Sequence, residues 1–204
     1  ACIGHVALDK VNTGKDIKPG NLIIGLASSG VHSNGLTLAR RVLLGDSMDE
    51  QKSRVNDYEE FLDQTIGEAL LEPTRIYVKP VMEMLDSGID LKAMVHITSG
   101  GFCNLNRVEC DNIRFVIDTL QPVPEIFNLI QDRGGVSEAE MFEVFNMGTG
   151  FCLVVEGTNE VEAVTEICKN NDLSCQLIGQ VEGCQGKEVS LPQKQLTGKG
   201  SRFT

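Results

Sequence analysis

The sequence predicts an α/β (α+β) domain in which helices pack on a mixed sheet. Three observations lead there. Short apolar runs alternate with stretches of helical spacing along the chain, the arrangement that layers helices on a sheet. Gly150 to Val155 reads as a strand apolar on both faces, with Cys152 and Val154 on one side and Leu153 and Val155 on the other, as a doubly covered sheet requires. At 204 residues, 41% hydrophobic and 23% charged, the chain is long enough for a real core and too ordinary in composition for disorder, collagen or coiled coil.

Taken in order, the first strand is Leu22 to Ala27, set off by the turn formers Pro19, Gly20 and Asn21. A polar, glycine-rich loop follows, Ser28 to Gly35, and then Leu36, Leu38, Ala39, Val42 and Leu43 recur at helical spacing. Gly45 to Asp57 has no periodicity and reads as an exposed loop. Phe61, Leu62, Ile66, Ala69 and Leu70 mark a helix over Tyr58 to Leu71, stopped by Pro73. A second helix covers Ile76 to Leu85, where Pro80 is expected to cost a hydrogen bond or force a bend. Ala93 to Thr98 and Ile113 to Ile117 are strands. Pro124 to Gln131 suits a helix closed by Gly134 and Gly135, and Ser137 with Glu140 has the spacing of a capping box that starts a helix through Phe145. After the strand at Gly150 to Val155 come a helix over Asn159 to Lys169 and a strand over Gln176 to Val181. Leu22 to Ala27, Ala93 to Thr98, Ile113 to Ile117, Gly150 to Val155 and Gln176 to Val181 are expected to share one sheet. From Pro192 onward the chain is polar and slightly basic, and residues 192–204 read as a flexible tail.

Charge and cysteine usage exclude several function classes. The net charge of −11 repels phosphate backbones, so nucleic acid is not expected as a partner. No apolar run approaches the roughly 20 residues of a membrane helix, and no membrane contact is expected. The seven cysteines, Cys2, Cys103, Cys110, Cys152, Cys168, Cys175 and Cys184, are scattered without a CxxC pair, so neither a disulfide framework nor a zinc site is indicated and a cytoplasmic location fits. Cys152 and Cys168 read as small core residues. The chain opens on Ala1 inside a run that looks like the middle of a protein, which predicts a fragment of a longer one.

Two strand ends carry candidate chemistry. In Ser28, Ser29, Gly30, Val31, His32, Ser33, Asn34 and Gly35, hydroxyls, an imidazole and an amide surround two glycines between a strand and a helix start. Main-chain N–H groups there can approach an anion closely, and the helix presents its positive end; simple capping of the helix explains the same residues equally well. GxxxxGK[ST] and GxGxxG are both absent from this loop. His32 would add a hydrogen bond to a phosphate, strengthened by charge only below its ordinary pKa near 6.5. His96 precedes Thr98, Ser99, Gly100 and Gly101 at a second strand end, where a ligand can reach the backbone; a buried histidine bonded to a carbonyl is the competing reading. A third segment, Asn146 to Gly150, places glycines before a strand, as a bulge or a close contact requires. No metal site is predicted.

Four ordered runs carry a resemblance. GLASSGVHSNGLTLAR (Gly25 to Arg40), EPTRIYVKPV (Glu72 to Val81), VHITSGGFCNLNRV (Val95 to Val108) and GGVSEAEMFEVFNMGTGF (Gly134 to Phe151) are similar to the successive signatures of the aminoimidazole ribonucleotide synthetase (phosphoribosylformylglycinamidine cyclo-ligase) family. The resemblance spans Gly4 to Val189. It implies a three-layer carboxy-terminal domain over 1–191, with 1–20 leading in from an amino-terminal domain. It implies a ligase of purine biosynthesis that closes an imidazole ring with ATP, a homodimer in full length, and a small phosphoribonucleotide substrate. ATP and magnesium would be bound mostly by the amino-terminal domain, with no cofactor expected on this chain alone, which would then be inactive by itself. From their places at the two strand ends, the expected substrate-binding residues are Ser28, Ser29, Gly30, His32, Ser33, Asn34, Gly35, Thr98, Ser99, Gly100, Gly101 and Asn146, with His96 the candidate for orienting or proton-transfer work. The chain departs from the family at Ser99, where a third glycine is usual, and a side chain there is expected to crowd or rewire the loop. Two alternatives stand beside this: a stand-alone phosphoribonucleotide-binding module, or a paralogue such as formylglycinamidine ribonucleotide synthetase, selenophosphate synthetase or thiamine-monophosphate kinase.

Overall fold

A computed structural model describes residues 3–204; Cys2 and the opening Ala1 lie outside the described residues. From β1 (Leu22–Ala27) the chain passes through the glycine-rich loop into α1 (Leu36–Leu44) and α2 (Met48–Arg54). A small ribbon of β2 (Tyr58–Glu59) and β3 (Gln64–Thr65) leads to α3 (Ile66–Leu71), α4 (Val78–Asp86) and β4 (Leu91–His96). After a 3-10 segment at Gly101–Arg107 come β5 (Ile113–Ile117), α5 (Glu125–Gly134), α6 (Glu138–Val144), β6 (Thr149–Val155), α7 (Thr158–Asn170) and β7 (Cys175–Gly183). β8 (Lys187–Leu191), β9 (Leu196–Lys199) and β10 (Arg202–Phe203) follow.

Eight of the strands form one mixed sheet in the order β10-β9-β8-β5-β7-β1-β6-β4, antiparallel throughout except between β5 and β8. The five strands read from the sequence are all in it. Side-chain alternation along β6 divides the core in two. Cys152 and Val154 face a cluster that includes Ala39 and Leu43 of α1, Phe127 and Ile130 of α5 and Phe142 of α6. Leu153 and Val155 face the other side, against Met84 of α4 and Val164, Ile167 and Cys168 of α7. The domain is therefore three layers deep, helices on both faces of a sheet. Cys152 and Cys168 are buried core residues, and burial pushes the Cys152 thiol pKa up.

Four expectations need correction. Residues 192–204 are not a flexible tail: Val189 pairs with Gly198, Arg202 with Lys199, and Leu196 and Phe203 are buried. Their apolar side chains are spaced too widely among lysines and glycines to read as strands. Gly45 to Asp57 is not all loop, because Ser47 and Glu50 form a reciprocal capping box that starts α2. Tyr58 to Leu71 is not one helix. Thr65 and Glu68 make a second capping box, which starts α3 at Ile66 and leaves the preceding residues as a ribbon turning at Asp63 (φ 53°). Pro80 neither bends α4 nor costs it a bond, since it lies in the first turn, where N–H groups have no helical partner.

Candidate functional site

β6 lies between β1 and β4 and is antiparallel to both, so the carboxyl ends of β1 and β4 and the start of β6 meet at one end of the sheet. Three of the four sequence motifs therefore converge there. The fourth joins them through Tyr77, whose hydroxyl donates to the carbonyl of Ala27 at the end of β1 (2.9 Å). Gly150 makes the space for this: a Cβ there would lie 2.0 Å from the Tyr77 oxygen.

The glycine-rich loop is held from beneath by Asn146. Its Oδ1 accepts from the Ser28 hydroxyl (2.7 Å) and the Gly148 N–H (3.0 Å), while Nδ2 donates to the carbonyls of Gly30 (2.8 Å) and Val31 (3.3 Å). All four bonding positions of this buried amide are used. Asn146 and Ser28 thus staple the loop, with the Asn146 amide and the Ser28 proton engaged inside the protein. The Ser29 hydroxyl is also committed, donating to the Pro73 carbonyl (2.6 Å). With the loop so fixed, the N–H groups of Ser28 and Ser29 have partners, whereas those of Gly30 to Gly35 have none among the described residues. Ser33 is exposed beside them, and Gly35 (φ 85°) starts α1 with no side-chain cap.

His32 sits in the left-handed region (φ 62°) and is buried. Burial first, then the neighbouring charges of His96 and Arg75, lower its pKa to about 4. It is neutral at physiological pH, so the expected contribution of an imidazolium to anion binding is absent above about pH 5. Nε2 accepts the N–H of Ser29 (3.1 Å) and of Arg75 (3.4 Å), and Nδ1 is buried without a partner.

Across the cleft, Asn34 donates through Nδ2 to the Thr98 hydroxyl, tying the two strand-end loops together. The Thr98–Gly101 loop is shaped by Asn104, whose Nδ2 donates to the carbonyls of Ser99 (3.2 Å) and Gly101 (2.8 Å). Gly101 (φ 52°) is required there, since a Cβ would meet the Phe142 carbonyl oxygen at 1.7 Å. Ser99 crowds nothing: its side chain is exposed, and its backbone is outside the left-handed region that Gly100 and Gly101 occupy. His96, at the end of β4, is exposed and stacks on Phe151 (6.4 Å between centroids, 28° between planes).

The enclosed part of the cleft, between His32, Asn34, Thr74, His96 and Thr98, is about 20 Å³, room for one water. His96 and Thr98 also border a cavity of about 420 Å³ along the open edge of β4, with Asn12, Asn104 and Arg107 opposite. A third, apolar groove of about 540 Å³ runs from His96 past Phe151 to Ile76 and Met82. His96 lines all three. Sequence reasoning missed Tyr77, Thr74 and Asn104, although each lies in or beside a motif that it singled out. The enclosed part of the cleft is lined by no carboxylate, Glu109 alone bordering the 420 Å³ cavity, and no three His, Cys, Asp or Glu side chains are grouped to hold a metal among the described residues, so the donor set does not fit magnesium.

Residues 18–192 match the family described as AIR synthase related protein, C-terminal domain. The chain belongs to this family. Among curated relatives of this family domain, the phosphoribosylformylglycinamidine cyclo-ligase of Methanocaldococcus jannaschii is 46% identical over 178 residues, 86% of this chain and 49% of that protein. Those of Methanococcus maripaludis (strain C7) and Bacillus licheniformis are each 44% identical, over 87% and 90% of this chain and 48% and 52% of their own lengths. The chain thus spans about half the length of these relatives. At the level of fold, it is similar to the hydrogenase maturation protein HypE (TM-score 0.54, 13% identity, 98% of this chain and 56% of that one). It is similar also to thiamine-monophosphate kinase of Stenotrophomonas maltophilia (TM-score 0.52, 15% identity, 91% and 54%). No helix among the described residues is long and apolar enough to cross a membrane.

Proposed function

We propose that this chain is the carboxy-terminal half of a phosphoribosylformylglycinamidine cyclo-ligase, supplying the substrate-positioning side of a cleft that an amino-terminal domain completes. The observation that carries the reading is that Val31 to Asn34, whose N–H groups have no partner among the described residues, line one cleft together with His96. Main-chain donors at the start of α1 suit the phosphate of a phosphoribonucleotide, and the exposed Ser33 hydroxyl adds one more. The Thr98–Gly101 loop and His96 then face the reacting end of the substrate. His96, exposed where three cavities meet, is the residue for orienting the formylglycinamidine arm or moving a proton during ring closure. Holding both ends of one molecule converts a rare encounter into a positioned, intramolecular attack.

ATP and its magnesium belong, on this reading, to the amino-terminal domain, and the working enzyme is a cytoplasmic homodimer. Relatives at 40–46% identity bear the cyclo-ligase name, which favours it over the kinase and synthetase paralogues. The test is kinetic and uses the full-length enzyme. Replacing Ser33 and Asn34 by alanine raises KM for the phosphoribonucleotide several-fold with kcat nearly intact, whereas His96→Ala lowers kcat by about a hundredfold. Steady ring closure by the 204-residue chain alone contradicts the assignment of only half an active site to it; tight phosphoribonucleotide binding without turnover, in either form, points to a binding module.

A further inference from the structure

We propose that Cys168 and Cys175 are a redox-sensitive thiol pair at the foot of the cleft: a hydroperoxide oxidises Cys175, and Cys168 resolves the product to an intramolecular disulfide. The inference goes beyond the reading above and does not rest on it. The pair arises from the way α7 turns into β7. Asn171 and Leu173 both donate their N–H groups to the Cys168 carbonyl (3.0 and 2.9 Å), and Asp172 takes the left-handed region (φ 51°), so the chain reverses sharply after the helix. Cys175 then lies back against α7. Its Sγ is 3.9 Å from Thr165 Oγ1, and Thr165 and Cys168 stand three residues apart on one face of that helix. Cys175 also packs against the apolar cluster that contains Cys168.

The hydrogen bonds give the two thiols different parts. The Thr165 hydroxyl donates to the Val161 carbonyl (2.7 Å), so its oxygen accepts from Cys175. The Cys168 thiol in turn donates to the Cys175 sulfur. That bond, opposed by burial, holds the Cys175 thiol pKa below its ordinary value, and the same bond together with burial holds the fully buried Cys168 above its own. Thiolate character is thus concentrated on Cys175, which is also the half-buried and more accessible member. With hydrogen peroxide, the Cys175 thiolate attacks one oxygen, the O–O bond breaks, and the departing hydroxide takes up the thiol proton to leave as water. The Cys168 sulfur then attacks the sulfur of the resulting sulfenic acid; the S–O bond breaks, and the hydroxyl leaves as a second water with the Cys168 proton. The segment between the cysteines touches the cleft from below. The Ser174 carbonyl accepts the Ala27 N–H at the end of β1 (2.9 Å), and the Asp172 carbonyl accepts from the Arg75 guanidinium (3.4 Å), whose own main-chain N–H bonds to His32.

The test treats the reduced 204-residue chain with hydrogen peroxide, blocks the remaining thiols and digests it with trypsin and a glutamate-specific protease. Cleavage at Glu166, Lys169 and Glu182 puts Cys168 and Cys175 on separate peptides that hold no other cysteine. The two peptides should appear joined, lighter by two hydrogens than their sum, and should part on adding dithiothreitol. Cys184, also half-buried, is the internal reference, and Cys175 should be consumed about tenfold faster. Cys168→Ala should stop the sequence at a Cys175 sulfenic acid that dimedone traps, and Cys175→Ser should leave Cys168 reduced. The joined peptides of the parent chain need no variant, so a poorly folding substitution does not blunt the test. Oxidation of Cys184 first, linkage of either cysteine to another partner, a pair that stays reduced, or a Cys168→Ala chain without the dimedone adduct on Cys175 overturns the proposal. In ¹⁵N-labelled protein the Ala27 and Arg75 amides should shift on oxidation and return on reduction; unmoved amides overturn the link to the cleft.

Discussion

At the residue scale the site depends on side chains whose roles are set by distant partners. Asn146 precedes glycines at a strand start, a placement that suits a ligand residue. Its four bonds to Ser28, Gly30, Val31 and Gly148 make it a structural staple of the loop. Asn146→Ala leaves two carbonyls, a hydroxyl and an N–H without partners, and should destabilise the domain by about 3 kcal/mol in urea unfolding. Tyr77 and Gly150 form a second pair. Gly150→Ala should cost about 2 kcal/mol because its methyl meets the Tyr77 hydroxyl, and Tyr77→Phe in the same chain should recover part of that cost; purely additive effects in the double variant would refute the contact. His32 gives a pH signature. Its folded pKa of about 4 lies below the ordinary 6.5, so its share of stability is complete above about pH 6.5 and is lost as pH falls through 4. Between pH 7.5 and 5 the loss attributable to it should be about 2 kcal/mol, seen as the difference between the parent and His32→Gln denaturation curves.

At the scale of elements, legibility followed the strength of local signals. β1 and β5 have the predicted ends because apolar runs there stop abruptly at turn formers. β4 begins and ends two residues earlier than read, at Leu91 and His96, since Ile97 and Thr98 continue the apolar run as loop. α2 has no buried residue, so periodicity could not reveal it; only the Ser47–Glu50 spacing could. The closing strands were missed because pairing, not composition, makes them strands. Phe203→Ala, which empties a buried site against Gly198 at the sheet edge, should cost about 3 kcal/mol by thermal or urea unfolding, where a loose tail would show no change. Ser137, whose side chain accepts the Glu140 N–H, caps α6 as its spacing suggests, and Ser137→Ala should cost about 1 kcal/mol.

For the whole molecule, the three-layer arrangement was readable from two-faced strands such as Cys152 to Val155. Strand order was not, since nothing local states that β6 lies between β1 and β4 or that β8 runs parallel to β5. That order brings the two strand-end loops together, so the cleft is a property of topology, and the motifs were visible before their meeting place was. On the proposed function, this meeting place holds a phosphoribonucleotide. Chemical-shift mapping of the ¹⁵N-labelled chain with phosphoribosylformylglycinamidine tests it most directly, because weak binding to half a cleft still moves amide resonances. The amides of Gly30 to Gly35 and of Ile97 to Gly101 should shift together along one binding curve. Shifts confined to other faces of the domain, or the absence of any at saturating ligand, would contradict it.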